Sequence, residues 1–175
     1  IYVTRGILAY MESEAELAGV LGHEIGHVTA RHSVNQISKA QLVQLGWGVG
    51  SLLVPKLQQF EGLAGASMQL LFLKFGRDDE YQADELGVRY MSRLGYDPAQ
   101  LSGVMGMLGT VTSAEGGERV PEWLSTHPNP ENREGTILEM AAVATVEADP
   151  PLVRREAFVP VLDGMVFGAN PREGF

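Results

Sequence analysis

Two histidines and a glutamate carry the first chemical signal: His23-Glu24-Ile25-Gly26-His27. On a helix, residues at i and i+4 lie one above the other, so both imidazoles face one side. That placement suits two corners of a tetrahedral zinc site. Glu24 lies about 100° round the helix from His23, so it borders the site without ligating. There it can accept a proton from a water that the metal activates. With four histidines in 175 residues, chance produces this pattern in about one such chain in a hundred. The plainer alternative is a helix with two solvated or hydrogen-bonded histidines.

A catalytic zinc needs a third protein ligand and one open position. His32 follows His27 by five residues, about 140° round a continuing helix, and is expected to miss the metal. A third histidine at the metzincin spacing is absent, since Ala30 and Ser33 stand where glycine and histidine are required. The chain has no cysteine, so thiolate ligands and disulfides are excluded. A carboxylate is then the natural third ligand. Glu80 and Asp84 form another i, i+4 pair. Glu80 can ligate, while Asp84 can accept the far N–H of a zinc histidine, His23 by preference, and fix its tautomer. Asp78, Asp79 and Glu85 are rivals that would equally suit a first turn favoured by the helix dipole. Two imidazoles and a carboxylate favour Zn2+ over harder metals, one ion per chain.

These residues need helices to hold them. Ser13 and Glu16 form a capping pattern that opens a helix to about Val34. Leu17, Leu21, Ile25 and Val28 fall on one face of it, which is expected to be buried. Ala18, Gly22, Gly26 and Ala30 form a second strip, of small side chains. Each interior glycine costs about 1 kcal/mol relative to alanine, so the strip predicts close approach of another backbone. A helix over about 78–94 carries Glu80 and Asp84 and ends at Gly95 as its cap. Asp97-Pro98 and Asn129-Pro130 open two more helices, to about Val111 and Val146. Ile1–Thr4 reads as a short strand, either structural or an edge for an extended substrate. Residues 39–75 are apolar, rich in glycine and divided by Pro55, which predicts a helical hairpin or lid. Met105 and Met107 are expected in the core. The fold class is mainly α with a small β-sheet (α+β).

Composition agrees with a single globular domain: 45% hydrophobic and 20% charged residues over 175 positions. The net charge of −9 makes nucleic acid an unsuitable partner. The most apolar run, Leu45–Val54, is about half the roughly 20 residues that a spanning helix needs, so no transmembrane segment is expected. The chain reads as a piece of a longer protein, with residues 1–148 as catalytic domain and 149–175 as a tail or the start of a further domain.

The segments "ILAYMESEAELAGVLGHEIGHVTARHS", "RDDEYQADELGVRYM" and "STHPNPENR", in that order, resemble the zinc metallopeptidase family of the CAAX prenyl proteases and HtpX. The soluble, BepA-like bacterial envelope branch is the nearer match. The resemblance covers about residues 1–145. It implies a zincin-like domain with zinc on His23, His27 and Glu80, Glu24 as general base, and Asp84 behind the ligands. It also matches His127 and Arg133 to an H-P-x-x-x-x-R element approaching the zinc from the opposite side. His127 could then donate to the oxyanion of the tetrahedral intermediate, or ligate the resting zinc and hold the enzyme off. The implied substrate is an unfolded or misfolded polypeptide. The implied setting is protein quality control in the bacterial periplasm or envelope, with assembly partners reached through regions outside this chain.

Overall fold

A computed structural model describes residues 1–54, 75–114, 127 and 132–165. Seven helices occur among them: α1 (Arg5–Leu8), α2 (Glu14–Thr29), α3 (His32–Leu53), α4 (Arg77–Arg93), α5 (Gln100–Ala114), α6 (Arg133–Val143) and α7 (Arg155–Leu162). The β expectation is corrected. No strand forms among the described residues, and the single β feature is a parallel bridge between Tyr96 and Leu152. Ile1–Thr4 is irregular backbone, with no strand among the described residues to complete a ladder. The Thr4 hydroxyl instead accepts from the Ile7 N–H at 3.4 Å and caps α1.

Ser13 caps α2 as the sequence predicts, accepting from the Glu16 N–H at 3.2 Å. The helix is shorter than expected. It stops at Thr29 because Arg31 adopts a left-handed backbone with φ 59°. This bend starts α3 in a new direction. The buried face of α2 also differs from the apolar stripe. Ala15, Gly19, Val20, Gly22, His23, Gly26 and His27 are buried, whereas Ile25 and Val28 are 41% and 65% exposed. Close packing and the imidazoles decide the orientation here, outweighing the side chains' hydrophobicity.

The small-residue strip receives α4. A Cβ on Gly22 would lie 3.2 Å from the Gly87 Cα, and one on Gly26 would lie 3.0 Å from the Ala83 carbonyl oxygen. The two backbones therefore touch, and α2 and α4 share the most extensive helix contact among the described elements. Gly95, at φ 81°, ends α4 in a Schellman arrangement. Its N–H bonds the Ser92 carbonyl at 3.1 Å and the Tyr96 N–H bonds the Met91 carbonyl at 2.9 Å.

Two apolar clusters brace this helix pair. Ala15, Val88, Met91, Leu101, Met105 and Ile137 join α2, α4, α5 and α6. Ile7, Met11, Val20, Val104 and Phe158 join α1, α2, α5 and α7, with Met107 packed alongside. Met105 and Met107 thus sit where the sequence places them. Phe158 brings α7, beyond residue 148, into the same core. Backbone bonds from Ala15 to Val153 (3.2 Å) and from Leu152 to Gly95 (2.8 Å) tie that segment down. The second half of the expected hairpin (55–74), the Asn129-Pro130 turn and the end of the tail (166–175) lie outside the described residues. No described helix is long and apolar enough to cross a membrane.

Candidate metal centre

The α2–α4 contact brings the two i, i+4 pairs face to face. His23, His27, Glu80 and His127 are all buried, and each offers one ligand atom within 4.8 Å of the others. Nε2 of His23 lies 3.1 Å from Nε2 of His27 and 3.5 Å from Oε2 of Glu80. His27 Nε2 lies 3.4 Å from Oε1 of Glu80. His127 Nδ1 completes the group, 3.3 Å from His23 Nε2 and 3.0 Å from Glu80 Oε1. Donors about 2.0–2.1 Å from a tetrahedral zinc are about 3.3–3.4 Å apart. The spacing therefore fits a zinc ion.

The hydrogen bonds behind the ligands point the same way. Nδ1 of His23 lies 2.8 Å from Asp84 Oδ1. Arg133 donates to both oxygens of that carboxylate, from Nε at 2.8 Å and from Nη2 at 2.6 Å. A carboxylate so held is ionised and can only accept, so His23 carries its proton on Nδ1. Its Nε2 lone pair then faces the Nε2 of His27 and the Glu80 carboxylate. Lone pairs and a negative charge converging in a dry pocket match a cation.

Burial acts on the same groups. It lowers the His23 pKa below its ordinary value, and the Asp84 hydrogen bond only partly offsets this. Burial would raise Glu80, but the hydrogen bond from His127 and its other imidazole neighbours outweigh it and hold the carboxyl at about 2. Glu80 is therefore an anionic ligand at neutral pH.

Glu24 stands outside the ligand set, as its helical position predicts, with Oε1 3.4 Å from His127 Nε2. His127 thus touches both the ligand cluster and Glu24. Arg133 lies against Asp84 and Glu80. It is fully buried and binds Glu80 Oε2 through Nη1 at 2.8 Å, besides gripping Asp84. Asn132, left-handed at φ 80°, starts α6 and turns this arginine inward. Asp78, Asp79 and Glu85 fall outside the ligand cluster.

Two further residues escape the sequence reading. The Phe75 ring packs 4.1 Å from the His27 ring and 5.3 Å from the His127 ring, an apolar cover on the cluster. His32 Nδ1 lies 2.9 Å from His27 Nδ1. It keeps off the metal side, but the bend at Arg31 brings it behind a ligand. The doublet Arg31-His32 carried no signal of this, because a left-handed arginine is not readable from sequence.

Known proteins are similar to this chain. The description Peptidase family M48 matches residues 1–141. The chain is 32% identical over 156 residues to the mitochondrial metalloendopeptidase OMA1 of Arabidopsis thaliana, covering 89% of this chain and 30% of that protein. It is 35% identical over 135 residues to the beta-barrel assembly-enhancing protease of Yersinia pestis, covering 73% and 27%. The same-named protease of Escherichia coli is 32% identical over 135 residues, again 73% and 27%. The chain thus spans about 30% or less of the length of these three relatives. The buried donor cluster and the match over residues 1–141 lead to one assignment: the chain belongs to peptidase family M48, the metallopeptidases.

Proposed function

We propose that this chain is a zinc-dependent endopeptidase of gluzincin type, in a zincin-like fold, with His23, His27 and Glu80 holding the ion. One observation carries the reading: three donors converge at tetrahedral spacing while Glu24 borders them without joining them. A purely structural zinc site has no use for that glutamate. A bound zinc ion would acidify a water and polarise the scissile carbonyl. Glu24 takes the proton from the attacking water and passes it to the leaving amine. Asp84 keeps His23 in the Nδ1–H tautomer, and Arg133 acts by holding Asp84 and Glu80 in place. Of the two matched residues His127 and Arg133, His127 is the one beside Glu24 and so nearer the reacting atoms.

The substrate class we propose is an unfolded or misfolded polypeptide, which must be extended to reach a buried centre. The setting we propose is bacterial envelope quality control, in the periplasm. The β-barrel assembly-enhancing relatives support it, and the mitochondrial relative is the competing precedent.

A second reading is a latent enzyme or weakly active zinc-binding chaperone, its site blocked by the 39–75 segment or by His127, and the observation that favours it is at His127. Its Nδ1 lies 3.0 Å from Glu80 and 3.3 Å from His23, at the corner that a catalytic zinc leaves open. Cleavage of fluorescein-labelled casein separates the readings. Wild type should cleave, and Glu24→Gln should retain zinc and not cleave. Zinc-loaded wild type without activity, restored by His127→Ala, would establish latency. Failure of wild type to bind supplied zinc would refute the proposal.

A further inference from the structure

We propose that His32 and Gln82 are positioning residues that set the tautomer and ring orientation of His27 through a three-group hydrogen-bond relay. The inference rests on the zinc reading above. The Arg31 bend places His32 on the first turn of α3, buried against α2 and α4. Its Nε2 lies 2.8 Å from the Gln82 Oε1 and 3.8 Å from the Asp79 Oδ1. An amide oxygen and a carboxylate are both acceptors, so Nε2 of His32 carries the proton. The Nδ1 of neutral His32 is then a lone pair. It stands 2.9 Å from His27 Nδ1, which must donate to it. His27 is thereby fixed with its proton on Nδ1, and Nε2 is left as a lone pair facing Glu80 and His23.

The two imidazole ligands are supported unequally. His23 leans on an ionised carboxylate clamped by Arg133. His27 leans on a neutral imidazole that ends at an exposed amide. Partners behind a ligand typically change metal affinity by about 10–100-fold. His27 is therefore the weaker donor, and Gln82 is where its strength is set.

The test is zinc affinity by competition with a chelator, at one alkaline pH, together with nitrogen NMR of the metal-free protein to read the His27 tautomer. His32→Ala should weaken zinc about 10–100-fold and mix the His27 tautomers. His32→Gln, whose amide oxygen can accept from His27 Nδ1–H, should recover most of the loss. Gln82→Glu, at an exposed position, should bind zinc more tightly than wild type, which no loss of packing would produce. The Gln82 variant also covers the case in which His32→Ala fails to fold. The relay is overturned if His27 in the wild type carries its proton on Nε2, or if Gln82→Glu leaves zinc affinity unchanged. A wild type that binds no zinc would instead overturn the metal-site reading, while the tautomer would still be measurable.

Discussion

Gly22 on α2 and Gly87 on α4 meet so closely that a methyl on Gly22 would reach 3.2 Å from the Gly87 Cα. One turn further, a methyl on Gly26 would sit 3.0 Å from the Ala83 carbonyl oxygen and 3.1 Å from its Cα. This contact carries the histidine pair to the carboxylate pair. Helix propensity alone would make Gly→Ala stabilising by about 1 kcal/mol. At Gly26 the clash is with backbone and cannot be relieved by a rotamer. Gly26→Ala should therefore destabilise by about 1–3 kcal/mol and weaken zinc binding. Gly46, with nothing among the described residues within 4 Å, should gain stability on the same change. Denaturant midpoints of the two variants should move in opposite directions.

Arg133 is buried between two carboxylates and supplies three hydrogen bonds to them. Removing it leaves Asp84 and Glu80 without their compensating charge. Arg133→Ala should cost about 3–5 kcal/mol of stability, read by urea denaturation of the zinc-free protein. Arg133→Lys keeps the charge but not the fork and should recover only part of it. Near-wild-type stability with lost activity would instead place Arg133 against the substrate.

The pH dependence of the zinc-free protein follows from two depressed pKa values. Burial lowers His23 below 6.5, so the unfolded chain binds a proton more readily than the folded one. Stability from this neutral histidine is present above about 6.5 and is lost as the pH falls below it. Glu80, held at about 2 against an ordinary 4.5, contributes stability above 4.5 that is lost as the pH falls toward 2. Both effects have the same sign. Thermal midpoints of the chelator-treated protein should fall from neutral pH downward, steepening below about pH 4.5. Asp84→Asn removes the hydrogen bond and charge that partly offset burial, so it should extend the histidine part of the curve to lower pH.

Phe158, 5% exposed, lies in the cluster with Ile7, Met11, Val20 and Val104. Phe158→Ala should cost about 3–5 kcal/mol. Truncation after residue 148 should lower the thermal midpoint further, because it also removes the Leu152 and Val153 backbone bonds. If 149–175 instead begins an independent domain, both changes would leave the midpoint unchanged.

Much of the site was readable because its geometry is local. The i, i+4 spacing of His23 and His27, and of Glu80 and Asp84, places each pair on one helical face without knowledge of the rest. The Ser13 cap, the Gly95 terminator and the small-residue strip are likewise properties of a single helix, and all three appear where expected. Tertiary structure decided what depends on direction and partners. The left-handed turn at Arg31 bent the chain and put His32 behind His27. Burial of Arg133 aimed it at Asp84 and Glu80. Close packing of α2 on α4 left Ile25 and Val28 exposed. The Ile1–Thr4 strand did not form, since a strand needs a partner and none stands beside it among the described residues. Sequence alone specified which residues share a face. Only the packed helices decided which face was buried, because that choice balances contacts between segments far apart in the chain.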